Sequence, residues 1–187
     1  MTKQVFSKPF TQQEAIPEAG IARAVEIMKT GRLHRYNLLP DEAGEAAALE
    51  MEYAKWQGAD YCIACTSGGY AIQLGLRVCG VKPGDKVLDN AYTLAPVPGG
   101  IHNVGGVPVL VDIDESYHID CDDLDVKAAA SGAKYLLLSY MRGHIPDMDK
   151  LLAVCAKYDI CLIEDCAHTM GAKWRGIRSG NFGKVAA

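Results

Sequence analysis

The sequence predicts an α/β fold, a mostly parallel sheet sandwiched by helices. Three observations carry that expectation. Four short runs, "DKVLD", "VPVLVDI", "KYLLLSY" and "ICLIED", are continuously apolar in their middles, as strands buried on both faces are. Stretches with helical spacing separate most of them, the alternation that builds parallel sheets. Several runs stop abruptly at polar residues, and in such sheets ligands bind outside the carboxyl ends of the strands.

Taken in order, residues 12–30 read as a helix closed by Gly31 as C-cap, and a polar loop, "RLHRYNLLP", follows. "DEAGEAAALEMEYAKWQG" is a second helix, with acids in its first turn and Gly58 at its end. "DYCIAC" reads as a short strand that runs into the helix "SGGYAIQLGLRVCG". Strands "DKVLD" and "VPVLVDI" come next, then a short helix, "DDLDVKAAAS", and the strand "KYLLLSY". "DMDKLLAVCAKYD" is an amphipathic helix with Asp147 as N-cap. "ICLIED" is the last long strand, and "AKWRGIRSG" reads as a hairpin. Residues 1–58 thus form an N-terminal helical segment and residues 59–187 an α/β core.

Composition narrows the function. The 187 residues are 49% hydrophobic and 22% charged, as in ordinary globular proteins. A net charge of −4 argues against a general nucleic-acid binder. No apolar stretch approaches the roughly 20 residues of a membrane span. "MTKQVFSKPF" lacks the apolar centre of a signal peptide, so a cytoplasmic location is expected. The seven cysteines are irregularly spaced and read as reduced thiols. Cys62-x-x-Cys65 is the one redox candidate. Cys62 falls inside an apolar run, and no Trp or Pro signature surrounds the pair.

Three strand ends carry chemistry. In "CTSGGYA" a Ser-Gly-Gly turn opens a helix, where unpaired N–H groups and a positive dipole end suit a phosphate. A plain tight turn is the alternative. It is neither a Walker loop nor a G-x-G-x-x-G motif. In "LIEDCAH" an apolar strand meets Glu164 and Asp165, with His168 beyond. No further ligand stands at metal spacing, and no nucleophile elbow supports a hydrolase. A capping Asp with a satisfied His is one reading. An Asp that stabilises a cationic heterocycle is the other. The third end, "VLDNAYTLAP", offers an apolar or aromatic face. Phosphate cradle, cation partner and ring platform together describe pyridoxal phosphate (PLP).

The ordered segments "GRLHRY", "SGGYAI", "KPGDKVLDNAYTLA", "GGVPVLVDID", "YHIDCDDL", "RGHIPDMDKL" and "IEDCAHTMGAKWRGIRSGNFG" add a resemblance. From about residue 22 to Ala187 the chain resembles the N-terminal part of the DegT/StrS-type sugar aminotransferases, fold-type I enzymes that use PLP. The resemblance implies a truncated large domain without its small C-terminal domain. It implies backbone N–H groups of Gly68, Gly69 and Tyr70 on the phosphate, and Asp165 on the pyridine nitrogen. It places His168 on the phenolic oxygen and Leu94 where an aromatic normally stacks on the ring. Glu164 would point away and make structural contacts.

Departures from the family pattern are visible. Gly69 stands for a Thr, and Leu94 for the aromatic, with Tyr92 two positions off. Tyr140 and Arg142 stand in a segment where the family more often has a His and an aromatic, and Arg142 is a candidate for a substrate carboxylate or phosphate, with a structural ion pair as the alternative. The Schiff-base lysine is expected beyond Ala187, so no catalytic residue falls within the chain. Neither Lys173 nor Lys184 stands at its place. The implied activity of the intact enzyme is amino transfer from Glu or Gln to a keto sugar, typically nucleotide-linked, by a homodimer. The chain alone is expected to be inactive. A dehydratase of the same family and a non-catalytic binding half are the alternatives.

Overall fold

A computed structural model describes residues 7, 9, 11, 13–42 and 44–187. The chain divides into two compact units, residues 1–48 and 49–187.

The first unit holds helix α1, Glu18–Thr30. It begins later than the sequence spacing predicts, because Pro17 occupies the N-cap with φ −56° and ψ 141° and residues 13–16 are not helical. Gln12 lies outside the described residues. Gly31 closes the helix as expected, at φ 69°. Arg23 pairs with Glu45 at 2.7 Å and Arg32 with Glu42 at 3.1 Å. Helix α2, Glu45–Gln57, starts four residues inside the predicted segment, and Ala43 is outside the described residues.

The second unit is built on a five-stranded parallel sheet. Its strands are β1 (Lys86–Asn90), β2 (Val107–Val111), β3 (Tyr135–Ser139), β4 (Cys161–Asp165) and β7 (Val185–Ala186), in the order β2-β1-β3-β4-β7. A separate hairpin pairs β5 (Lys173–Trp174) with β6 (Ile177–Arg178). Helices α3 (Gly68–Val78), α4 (Pro96–Asn103), α5 (Cys121–Ser131) and α6 (Met148–Tyr158) cover the sheet. Two cores follow from the alternation of side chains along each strand. Leu88, Leu136 and Leu162 pack with Leu124 of α5 and Met148 and Leu151 of α6. Val87, Leu137 and Ile163 pack with Ile72 and Leu76 of α3 and Val97 and Ile101 of α4. Each fully buried Leu or Ile contributes about 1.5–3 kcal/mol. Asp120 caps α5, and Asp147 caps α6 as its sequence predicts, accepting from Asp149 N and Lys150 N.

One expectation needs correction, and one helix is added. "DYCIAC" is not a strand. Tyr61 is 92% exposed and Ile63 is 63% exposed, and no described strand pairs with them. β-forming residues make a strand only where a neighbour accepts the backbone hydrogen bonds. Helix α4 is an addition. No element is assigned to "PVPGG" from the sequence; Pro is tolerated in a helix's first turn, where N–H groups lack partners anyway.

The order β2-β1-β3 means that the chain reverses its direction of travel across the sheet between β1 and β3. Such a switch point leaves a crevice at the carboxyl ends of the strands. Asp89, Asn90, Ser139 and Asp165 all lie at that end.

Candidate functional site

The two carboxylates that end β4 point to opposite faces. Glu164 turns toward α6 and is fully buried. Its Oε2 accepts from the Tyr140 hydroxyl at 2.6 Å and Gly180 N at 2.8 Å. Its Oε1 accepts from Phe182 N at 2.8 Å and Gly183 N at 2.6 Å. Burial, and then the Glu164 charge, push the Tyr140 phenol above its usual range. The turn that carries these amides comes very close to β4. A Cβ on Gly183 would stand 2.5 Å from the Leu162 carbonyl oxygen, so only glycine fits. Glu164 ties β4 to the turn before β7 and has no acceptor capacity left over for a ligand of any size.

Asp165 turns toward α3 and α4. It is 8% exposed. Oδ2 accepts from the Ser139 hydroxyl at 2.8 Å and Oδ1 from Ala167 N at 3.2 Å. Ser139 is fixed in turn by Asn90, whose Oδ1 accepts from Ser139 N at 2.9 Å and whose Nδ2 donates to the Ser139 carbonyl at 3.2 Å. Asn90 therefore sews β1 to β3 where the regular ladder has run out.

Asp89 lies on the same face as Asp165, one position before Asn90. It is fully buried, and neither carboxylate oxygen has a hydrogen-bond partner. Burial pushes its carboxyl up to about 8, with the Asp165 charge adding to the rise. The Asn90 N–H pulls the other way without reaching hydrogen-bond geometry.

Helix α3 brings a backbone anion site to the same end. Gly75 lies against Ile163, and Cys161 at the start of β4 is near enough to act electrostatically on the Cys79 thiol at the end of α3. The helix thus runs antiparallel to β4, and its N-terminal turn lies at the Asp165 end. Ser67 caps it, accepting from Tyr70 N at 3.2 Å. That bond occupies the Tyr70 N–H and leaves Gly68 and Gly69 as the donors with no helical acceptor. A Cβ added at either glycine would meet nothing within 4 Å, so the backbone is open to a bulky anion.

His168 is exposed, and its Nδ1 accepts from Arg142 N at 3.1 Å. In the neutral ring that bond leaves Nε2 as the N–H, available to donate. Arg142 itself is exposed and takes a left-handed backbone, φ 57°. Leu94 is half-exposed on the loop before α4. Tyr92 is engaged elsewhere, its ring 5.3 Å from that of Tyr117 and its carbonyl accepting from Asn90 Nδ2. Cys62 is pushed up by burial, Glu50 and Cys65, the reverse of what a redox thiol needs. Among the described residues no cluster of three or more His, Cys, Asp or Glu could hold a metal, and no helix is long and apolar enough to cross a membrane.

Asp89, Asn90 and Ser139 are absent from the residues singled out in the sequence. The available signal was parity. Asp89 shares the parity of Val87, so a carboxylate had to enter the face that buries Val87.

A parallel α/β sheet with a glycine-opened helix start facing a hydroxyl-held Asp defines a class, the cofactor-binding half of a fold-type I enzyme. The profile of the DegT/DnrJ/EryC1/StrS aminotransferase family matches residues 17–187, and the chain belongs to that family. It is 35% identical over 170 residues to the UDP-2-acetamido-2-deoxy-3-oxo-D-glucuronate aminotransferase of Pseudomonas aeruginosa, covering 90% of this chain and 44% of that protein. The crystal structure of 3-amino-5-hydroxybenzoic acid synthase superposes with a TM-score of 0.85 at 29% identity, over 95% of this chain and 45% of that one. The NtdA protein of Bacillus subtilis, solved with bound pyridoxamine phosphate (PMP), gives 0.75 at 25% identity, over 86% of this chain and 35% of that one. The chain spans less than half the length of these relatives.

Proposed function

We propose that this chain forms the PLP-binding half of an aminotransferase that acts on a keto sugar. The observation that carries the reading is Asp165, a nearly buried carboxylate held by Ser139 and Ala167 at the sheet end that also receives the α3 N-terminus. The residues fit the cofactor. A buried, hydrogen-bonded carboxylate favours a cationic ring nitrogen, and an open helix start favours a phosphate. Bound PLP supplies an electron sink for moving an amino group.

The chain's own part is to bind and orient. Asp165 would hold the ring nitrogen in its protonated form. Gly68 and Gly69 would donate backbone N–H groups to the phosphate. His168, with Nε2–H free, would donate to the phenolic oxygen. Leu94 would pack on one ring face, and Arg142 would meet an anionic group of the substrate. One relative's name supports a nucleotide-linked keto sugar as acceptor, and two others name L-glutamine as donor; glutamate is the alternative donor.

The Schiff-base lysine is assigned outside residues 1–187. Lys173 is exposed on the β5–β6 hairpin. Lys184 donates its backbone N–H to the Leu162 carbonyl and lines a groove with Cys161 and Leu162, toward the opposite end of β4 from Asp165. The chain alone would therefore hold the cofactor without covalent attachment.

The test is the circular dichroism that PLP acquires in an asymmetric site. The native chain is expected to induce a band in the cofactor's near-ultraviolet and visible absorption, and Asp165→Ala to lose it. An equal band in both would refute the assignment.

A further inference from the structure

We propose that Asp89 and Asp165 act as one carboxyl pair that carries a single negative charge while no cation lies against it, and that gives up its remaining proton more readily when matched to one cationic ring. The matching rests on the cofactor reading above, whereas the pair itself stands on burial, missing hydrogen bonds, the shared sheet face and the charge of Asp165. Asp89 is level with Leu137 of β3, which is level with Ile163 of β4. Asp89, Ser139 and Asp165 therefore share one face, with Ser139 on the strand between the two acids.

The Ser139 hydroxyl goes to Asp165. Asp89 is left without a donor for either oxygen, at zero exposure. An ionised carboxylate is heavily penalised there. A cation or a proton can remove the penalty. Among the described residues there is no metal cluster, and Asp165 is the one charged group that acts on Asp89. Strand β2 carries no titratable group, and Tyr135 of β3 is at the far end of its strand. His102 of α4 and Arg77 of α3 lie in last turns, away from the carboxyl ends of the strands, and Tyr70 of α3 is half-exposed. Glu164 and the acids of α5, with Lys127, belong to the other face of the sheet. The proton is what remains.

Asp165 thus keeps a hydroxyl and an amide donor, whereas Asp89 has none and is held neutral by burial. A cation laid against Asp165 cancels the charge that helps keep the proton on Asp89. The Asp89 O–H bond then breaks more easily, its electron pair stays on oxygen, and the proton passes to solvent. Binding of a pyridinium and release of a proton become linked.

The test follows carbon-13 aspartate carboxyl signals against pH in the native chain, with Asp89→Asn identifying the Asp89 signal. The native Asp89 midpoint is expected near 8. In Asp165→Asn it should fall by about one pH unit, as loss of a neighbouring like charge requires. An unchanged midpoint in Asp165→Asn, or a native midpoint in the ordinary aspartate range, overturns the pair. Far-ultraviolet circular dichroism checks that each variant folds. Should Asp89→Asn not fold, the signal that titrates near 8 in the native chain and moves in Asp165→Asn decides alone. A second arm titrates PLP calorimetrically near pH 7.5, in two buffers of different ionisation enthalpy that contain neither phosphate nor primary amines. The native chain should release more protons per cofactor bound than Asp89→Asn, and equal release overturns the matching to a cation. Absence of PLP binding in both chains would overturn the cofactor reading and with it the matching, while the carbon-13 midpoints still decide the pair.

Discussion

Glu164 and Asp89 are both shut off from solvent, near the same end of one sheet, and the protein treats them in opposite ways. Glu164 receives four hydrogen bonds, from the Tyr140 hydroxyl and the amides of Gly180, Phe182 and Gly183. Asp89 receives none. The first is a structural anchor whose charge is fully solvated by the fold. The second is a carboxyl the fold does not solvate, on the face that also holds Asp165 and near the opening of α3. Strand alternation alone separates them. The α5–α6 face ends in satisfied structure, and the α3–α4 face ends in groups with unused capacity. A sheet end that leaves a buried acid unpaired has spent stability there, and such positions concentrate at functional sites.

The comparison can be broken by removing each acid in turn. Glu164→Ala strands the Tyr140 hydroxyl and three backbone amides, and should cost roughly 3–5 kcal/mol in urea unfolding. A loss under about 1 kcal/mol would mean that the four bonds are not the anchor described.

Asp89→Asn should act the other way, and with pH. The folded carboxyl titrates near 8, above its unfolded value, so between those two values the folded chain binds the extra proton. Stability from this group is full below the unfolded value and falls as pH rises toward 8. The native chain should lose about 2.7 kcal/mol relative to Asp89→Asn between pH 5 and pH 7, at about 1.4 kcal/mol per unit. Parallel stability profiles for the two chains would show that Asp89 is solvated after all.

Smaller effects sharpen the contrast. Ser139→Ala removes the hydroxyl from Asp165 and should weaken PLP binding about 5–10-fold, close to one charge-assisted hydrogen bond. Asp147→Ala removes the α6 cap, on the Glu164 face. It should cost about 1 kcal/mol of stability and leave PLP affinity unchanged. A change in affinity there would mean that the two faces are not independent.

Much of the fold is legible in the sequence because parallel strands buried on both faces are continuously apolar. The runs around Leu88, Val109, Leu136 and Leu162 place all four long strands, and Asp147 and Gly31 mark helix ends by their own chemistry. Helix α4 was hidden by its prolines and glycines, although Val97, Ile101 and Val104 repeat at helical spacing. "DYCIAC" misleads because strand propensity says nothing about whether a neighbour is present. In the site, Asp165 and the Ser-Gly-Gly turn stand out as polar interruptions of apolar patterns. Ser139 and Asn90 do not, because their importance lies in a bond between strands 49 positions apart. Asp89 closes the predicted strand "DKVLD", and its place inside the sheet shows only when the strand is seen to extend through Asn90.

The proposed site would hold a cofactor ring and its phosphate between the α3 N-terminus and Asp165. The most direct measurement is the two-dimensional amide spectrum of the nitrogen-15-labelled chain, recorded as PLP is added. The Gly68, Gly69 and Asp165–His168 amides are expected to move together, saturably, and Asp165→Ala to abolish the shifts. Shifts confined instead to the groove lined by Cys155, Cys161 and Lys184, at the other end of β4, would contradict that placement.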